Sequence, residues 1–396
     1  MASLLPEGFE YAGVKCGIKA SPKDDFAMIA CRRGATAAGV YTQNLVYAAP
    51  VEWDRQHTPS GDVRVIAVNS GNANACTGER GLADARQMAG LAAQSIGFSA
   101  SQALVMSTGI IGEFLPMDRI AEGARLAASR LKSDEASFQA AAEAIMTTDS
   151  FPKTVRRRFT VGDREIAIAG MAKGAGMIGP RMATMLSVLI TDAALTPQDA
   201  QAALRAAVEM TFNCISVEGH MSTNDTVLLL ASGAACKEPL AGGPLAEFTE
   251  SLTDACTELA KMIPNDGEGS THLIEISVHG TKDFESARRI AKTIAESALV
   301  KTAITGCDPN WGRIVSAAGY AGVPFDPAKV DLAVNGYPLY RQGAPLHFDA
   351  AAVSRSMKTN RDTLIELRVG SDPGECRYWT SDLTMEYIRI NADYRT

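Results

Sequence analysis

The chain has 396 residues, of which 46% are hydrophobic, and its mean hydropathy is close to zero. That length allows two or three domains, or one large α/β unit with a sizeable core. The net charge of −7 comes from 38 basic and 45 acidic residues, and the basic residues are dispersed along the chain. This pattern excludes the basic patch of a nucleic-acid-binding protein and favours a protein that acts on small molecules.

Targeting segments and metal motifs are also missing from the sequence. No apolar run approaches the length that spans a bilayer, and the first residues lack the pattern of a signal peptide, so we expect a cytoplasmic protein with no membrane partner. The eight cysteines form no C-x-x-C pair, which indicates reduced, mostly buried thiols. The five histidines form no metal-binding motif, and we predict no metal or other cofactor.

Short strands and amphipathic helices alternate along the chain without repeats or a composition break. In chain order the predicted elements are a strand at 62–68, a helix at 81–96, an apolar run at 103–106, a helix at 117–132 and a hairpin at 154–160 and 165–172. Thr196 and Pro197 then predict a helix start, as N-cap and N1 residues. A later helix has one apolar face made of Ala287, Ile290, Ala291, Ile294 and Ala298. The mixture predicts a layered α/β fold whose strand order stays open.

The glycine-rich loop after the hairpin carries the most specific chemistry. It contains Lys173 and delivers Ala183-Thr184 into the apolar run 185–190. If the chain were cut before Thr184, the new α-amine, with a pKa near 8, could take the proton of its own hydroxyl as that hydroxyl attacks a carbonyl. The local sequence alone favours the simpler interpretation, a buried threonine at the start of a core strand.

Two other patterns have a functional and a structural interpretation. Thr108 and Gly109 follow a strand and could present a hydroxyl and a backbone N–H to a developing oxyanion, although a simple turn has the same composition. Residues 174–179 match G-x-G-x-x-G after a strand, with Asp192 downstream, which would suggest a dinucleotide-dependent oxidoreductase. Pro180 directly after the last glycine and the early position of Asp192 argue against that interpretation.

Several blocks together resemble one known family. Residues 173–178 and 182–186 look like the signature of the ornithine acetyltransferases, also called glutamate N-acetyltransferases, of arginine biosynthesis. Further blocks resemble the same family in the same order, at 69–78, 107–112, 147–153, 222–226, 266–269, 308–313 and 391–396. The resemblance therefore covers nearly the whole chain.

The resemblance implies a self-processing enzyme with the layered α/β fold of aminopeptidase-like acyltransferases. Cleavage between Ala183 and Thr184 would give chains 1–183 and 184–396, assembled as a dimer of heterodimers. Thr184 would be the nucleophile, and Thr108 with Gly109 would form the oxyanion hole. The residues implied to line the substrate pocket are Thr147, Lys173, Thr184, Glu268, Asn391 and Thr396.

The implied reaction moves an acetyl group from N2-acetylornithine to glutamate through acetyl-Thr184. Whether acetyl-CoA serves as a second donor stays open, as does a self-processing amidase or peptidase of the same fold or a non-catalytic binding protein. His220 and Met221 stand where the family commonly has aspartate and threonine, which bears on substrate preference. Thr148 competes with Thr147, because strand alternation would turn only one of them inward.

Overall fold

The computed structural model describes residues 4–162, 164–179 and 185–393, and these form two mixed β-sheets with helices between and outside them. The strands are β1 (Glu10–Val14), β2 (Phe26–Tyr41), β3 (Ser60–Asn72), β4 (Ala103–Ile110), β5 (Lys153–Val161), β6 (Arg164–Lys173), β7 (Leu186–Thr191), β8 (Ile215–Ser216), β9 (Thr226–Ala231), β10 (Leu273–Gly280), β11 (Asp331–Val334), β12 (Tyr337–Arg341), β13 (Ala344–Pro345), β14 (Asp362–Arg368) and β15 (Asp372–Ser381). The helices are α1 (Ala49–His57), α2 (Gly78–Ser95), α3 (Met117–Arg130), α4 (Glu135–Ala144), α5 (Pro197–Met210), α6 (Gly243–Asn265), α7 (Phe284–Ala295), α8 (Ala298–Thr305), α9 (Trp311–Gly319), α10 (Ala350–Thr359) and α11 (Met385–Asp393).

The first sheet brings strands from distant parts of the chain together. Its order is β4-β3-β2-β9-β7-β6-β5. Strand β1 lies off this path and pairs with β2. Strands β3 and β4 are parallel, as are β7 and β9, whereas β6 runs antiparallel to β7. The second sheet has the order β13-β12-β11-β14-β10-β15-β8. Both sheets are therefore mixed, and each needs crossover connections that a local sequence pattern does not specify.

The main core lies between the two sheets. Helix α6 packs against β5 and β6 of the first sheet and against β8 and β15 of the second. Strand β7 is buried along its whole length, and its side chains alternate between two cores: Leu189 joins the core between the sheets, while Val188 joins a second one with Phe138 of α4. This double burial explains why β7 appears in the sequence as one continuous apolar run.

Most predicted elements appear, with ends that differ by a few residues, and one predicted helical face is divided between two helices. The hairpin is β5–β6, and the Thr196 side chain caps α5 by accepting a hydrogen bond from the Asp199 amide. The predicted helical face that ended at Ala298 was wrong at that residue, because α7 stops at Ala295 and Ser297 caps a new helix, α8. Ala298 is exposed as a result.

Two predictions from composition can be compared with the fold. All eight cysteines are free thiols and six of them are buried. In the described ranges, no helix combines the length and the apolar character that crossing a bilayer requires.

Candidate active site

A cleft opens where β4 and β6 end and β9 begins. Its empty volume is about 730 Å³, including space open to solvent. Six of the residues predicted for the site line it: Thr108, Gly109, Thr147, Lys173, Glu268 and Asn391. The other three, Ala183, Thr184 and Thr396, lie outside the described residues. One cleft therefore collects predicted site residues that are up to 283 positions apart in the chain, from 108 to 391.

The end of β4 forms one wall of this cleft. Gly109 has φ of +135°, a conformation that favours glycine. A Cβ atom there would lie only 2.3 Å from the carbonyl carbon of Gly71, its partner on β3. A side chain at position 109 would therefore collide with β3, so glycine is required where β4 reaches the cleft.

Asparagine side chains fix this end of β4. The Nδ2 of Asn224 donates hydrogen bonds to the carbonyls of Ser107 at 2.8 Å and Ala73 at 2.6 Å. From β3, the Oδ1 of Asn69 accepts a hydrogen bond from the Ser107 hydroxyl at 2.6 Å. The polar blocks around 69–78 and 222–226 are thus structural supports of the site, and Asn224 itself lines the cleft.

Lys173 lies at the end of β6 with only 3% of its surface exposed, and its Nζ donates a hydrogen bond to Thr108 Oγ1 at 3.2 Å. Burial lowers the pKa of Lys173, and the negative charge of Asp149 opposes that shift. Because the Thr108 hydroxyl accepts this hydrogen bond, its own proton is available to another acceptor in the cleft. The pair is suited to stabilising negative charge that develops on a substrate oxygen.

Behind Lys173 lies a buried group of charges that the sequence analysis did not identify. Asp149 accepts hydrogen bonds from the Gly174 amide at 2.6 Å and from Lys153 Nζ at 2.7 Å, and Lys153 also donates to Asp266 at 2.6 Å. Burial alone would raise the pKa of Asp149, but the charges of Lys153 and Lys173 outweigh it and lower the pKa to about 2. Asp149 therefore stays ionised and ties the glycine-rich loop to β5.

Replacing Lys153 by methionine is expected to destabilise the fold by about 3–5 kcal/mol, because it leaves two buried carboxylates without their cation. Thermal and denaturant unfolding measure this change. The control is Arg125→Ala, which removes an exposed ion pair with Glu122 on α3 and should leave the free energy of unfolding almost unchanged, because solvent screens this pair. A Lys153→Met protein as stable as the control would contradict the structural role of these charges.

Glu268 and Asn391 form the opposite wall. The Nδ2 of Asn391, on α11, donates a hydrogen bond to Glu268 Oε2 at 2.9 Å. A Cβ atom at Gly176 would lie 2.5 Å from the Glu268 Cδ, so glycine leaves room for this carboxylate. Residues 174–179 contain no helix, and the Glu268 carboxylate packs against Gly176. A dinucleotide-binding turn, which needs a helix that starts inside the glycine motif, is therefore not formed by these residues.

The structure also places the residues that the sequence left ambiguous. Thr147 and Thr148 both line the cleft, because they lie in a bend between α4 and β5, where strand alternation does not apply. His220 is exposed, and neither His220 nor Met221 is among the described residues that line the cleft. In the part of the chain that the structure covers, no group of three or more His, Cys, Asp or Glu could hold a metal ion.

The described residues next to Thr184 reach the same region. Lys173 pairs with Leu186 across the β6–β7 ladder, so β7 begins beside the lysine that lines the cleft. Met185 is buried, and its amide donates a hydrogen bond to Asp225 Oδ1 at 3.1 Å. Strand β7 therefore begins next to the cleft.

The cleft contains Thr108 and Gly109, which can donate hydrogen bonds to an oxyanion, and the carboxylate of Glu268. This combination suits a small substrate that carries an acyl group and a positive charge. A layered α/β protein with this cleft belongs to the acyl-transferring or acyl-hydrolysing enzymes as a class.

Comparison with known proteins gives the family. The model of the ArgJ family matches residues 10–396. The arginine biosynthesis bifunctional protein ArgJ of Rhodopirellula baltica is 48% identical over 396 residues, which cover 99% of this chain and 97% of the relative. The protein of the same name from Symbiobacterium thermophilum is 45% identical over 397 residues, covering 99% and 98%. The chain belongs to the ArgJ family.

A solved structure agrees with this assignment. The 2.00 Å crystal structure of the arginine biosynthesis bifunctional protein argJ from Bacillus halodurans has a TM-score of 0.50 and 40% identity, and the match covers 51% of this chain and 96% of that chain. The predicted family and the predicted layered α/β fold of the ornithine acetyltransferase type are thus confirmed.

Proposed function

We propose that the chain transfers the acetyl group of N2-acetylornithine to glutamate in arginine biosynthesis, through an acetyl ester on Thr184. The observation that carries the proposal is that Thr108, Gly109, Lys173 and Glu268 line one cleft beside the start of β7. The names of the relatives, which place them in arginine biosynthesis, support the choice of pathway.

In the first half-reaction the Thr184 hydroxyl attacks the acetamide carbonyl of N2-acetylornithine. The Thr184 α-amine accepts the hydroxyl proton and passes it to the departing amine of ornithine, so that the C–N bond breaks and an acetyl ester forms. Thr108 and the Gly109 N–H stabilise the oxyanion of the tetrahedral intermediate, with Lys173 orienting the Thr108 hydroxyl.

In the second half-reaction glutamate enters the same cleft and its amine attacks the ester. N-acetylglutamate leaves, and the proton returns to Thr184 by way of the α-amine. The word "bifunctional" in the names of the relatives supports acetyl-CoA as a second acetyl donor to Thr184. No resident cofactor enters either half-reaction.

Charge recognition follows from the two walls of the cleft. Lys173 is suited to a substrate carboxylate, and Glu268, held by Asn391, is suited to the side-chain ammonium of ornithine. Thr147 and Thr396 complete the proposed pocket.

The proposal includes self-cleavage. Chains 1–183 and 184–396 stay together and assemble as a dimer of heterodimers in the cytoplasm. The match to the Bacillus halodurans structure supports two chains, because it covers nearly all of that chain but about half of this one.

Acetyl exchange tests the proposed activity directly. The purified protein with N2-acetylornithine and glutamate, and without any nucleotide, should form ornithine and N-acetylglutamate in equal amounts. Free acetate in place of N-acetylglutamate would instead indicate an amidase of the same fold. Neither product would contradict the proposal.

Removing residues 391–396 tests the wall that the carboxy-terminal segment contributes. We expect KM for N2-acetylornithine to rise about tenfold or more, because Glu268 loses the hydrogen bond from Asn391, a bond to a charged group worth roughly 1.5–3 kcal/mol. The control is Arg389→Ala on the same helix, where Arg389 pairs with Glu386 at the surface and KM should not change. Near-normal KM after truncation would refute the assignment of this wall.

A further inference from the structure

Asp225 is a fully buried acid that the proposed reaction does not use. Its side chain is 0% exposed, and its Oδ1 accepts a hydrogen bond from the Met185 amide at 3.1 Å. Its Oδ2 has no hydrogen-bond partner among the described residues. A buried carboxyl group with one unpartnered oxygen costs free energy, and in Asp225 this group binds the residue that follows Thr184.

The backbone around Asp225 holds Met185 from the other side as well. The Thr226 amide donates a hydrogen bond to the Met185 carbonyl at 3.1 Å, and the Asp225 carbonyl accepts one from the Thr42 amide at 2.9 Å. Both polar backbone groups of Met185 are therefore bound by residues 225–226. Met185 is the residue to which Thr184 is covalently attached.

The neighbouring residue, Asn224, holds the other half of the site. Its Nδ2 binds the Ser107 carbonyl, one residue before Thr108. Asn224 and Asp225 are consecutive residues of one loop. Asn224 thus binds β4, which leads to the oxyanion donors, and Asp225 binds Met185, which directly precedes β7. Because a misplacement of about 1 Å can cost about 100-fold in rate, a fixed distance between these strands has a large effect on catalysis.

The charge state of Asp225 is consistent with this location. Burial raises its pKa well above the ordinary value, while the hydrogen bond from the Met185 amide and the charge of Lys173 act in the opposite direction. The raised pKa favours the uncharged acid. An uncharged group does not raise the pKa of a nearby amine, whereas a carboxylate would.

We propose that Asp225 is a positioning residue of the reaction: its carboxyl group holds the amide that follows Thr184 and so sets the place of the nucleophile relative to Thr108 and Gly109. The inference rests on the proposed function, in which Thr184 is the nucleophile. The required feature is an oxygen acceptor for the Met185 amide and not a negative charge.

Two variants and a matched control test this inference. Asp225→Ala removes the acceptor, and Asp225→Asn keeps an acceptor oxygen of the same shape. The control pair is Asp54→Ala and Asp54→Asn, because Asp54 is equally buried, accepts a hydrogen bond from the Val105 amide at 2.9 Å and also has an unpartnered Oδ2. Each protein is analysed for the cleaved fraction by denaturing electrophoresis, for kcat and KM of acetyl exchange per cleaved chain, and for thermal unfolding.

We expect Asp225→Ala to slow cleavage and to lower kcat about 100-fold with KM within about threefold. Asp225→Asn should restore cleavage and bring kcat to within about tenfold of the wild type. Asp54→Ala should unfold at a lower temperature and still cleave and turn over normally. These results together would support the inference.

Three results would overturn it. Asp225→Ala could cleave and turn over as Asp54→Ala does, so that the carboxyl group only supports the fold. Asp225→Asn could be as inactive as Asp225→Ala, so that ionisation and not the acceptor oxygen is required. KM could rise while kcat stays unchanged, so that Asp225 affects binding instead of the nucleophile. A wild-type protein without cleavage or exchange would refute the proposed function itself, which separates the two failures.

Discussion

Replacing Thr184 by alanine is expected to leave the chain in one piece and to lower acetyl exchange by roughly 1,000-fold or more, as loss of a covalent nucleophile does in other enzymes. The physical reason is that one residue supplies both the attacking hydroxyl and, after cleavage, the amine that acts as base. Denaturing electrophoresis measures the cleavage, and product formation from N2-acetylornithine and glutamate measures the exchange.

The control for this variant lies on β7, the strand that follows Thr184 in the sequence. Thr191→Ala removes a buried threonine at the far end of β7, whose hydroxyl donates a hydrogen bond to the Ala167 carbonyl at 2.8 Å. It should lower stability and leave cleavage and exchange intact. Thr184→Ser keeps a hydroxyl and an amine and should retain part of both activities. Full cleavage or near-normal exchange in Thr184→Ala would show that another residue is the nucleophile.

The second large effect is expected at Thr108. Thr108→Val keeps the shape of the side chain and removes the hydroxyl that faces the cleft, which should lower kcat about 100- to 1,000-fold with a small change in KM. Lys173 would at the same time lose its acceptor on β4. Steady-state kinetics of acetyl exchange separate kcat from KM.

A second buried threonine provides the comparison. Thr363 on β14 is also almost fully buried, but its hydroxyl has no hydrogen-bond partner among the described residues, so Thr363→Val should change neither stability nor kcat. If Thr108→Val also kept its kcat, the hydroxyl would not stabilise the oxyanion, and the Gly109 N–H would be left as the donor in that wall.

Local patterns predict much of the secondary structure because the signals are local. The hairpin β5–β6 follows from alternation on both sides of a turn, and the start of α5 follows from a threonine cap and a proline. The order of the sheets has no such signal. Strand β9, for example, lies between β2 and β7, and those pairings join residues far apart in the chain.

The site shows the same division. The loop with Lys173 and the strand end at Thr108 follow from local chemistry, and the remaining pocket residues follow from the family resemblance. The ion group of Asp149, Lys153 and Asp266 could not be predicted, because Lys153 and Asp266 are 113 positions apart and each alone is typical of a surface charge. Asn224 was missed for the same reason, since its partners are Ala73, just after β3, and Ser107 on β4.

The central claim, that Thr184 is freed by self-cleavage and then carries the acetyl group, is tested most directly by an intact-mass spectrum of the denatured protein with and without N2-acetylornithine. The account predicts two fragments divided between Ala183 and Thr184, the second gaining about 42 Da with substrate, as an acetyl ester requires. Cleavage without the added mass would contradict the proposed acetyl donor. A single unmodified chain would contradict the role of Thr184.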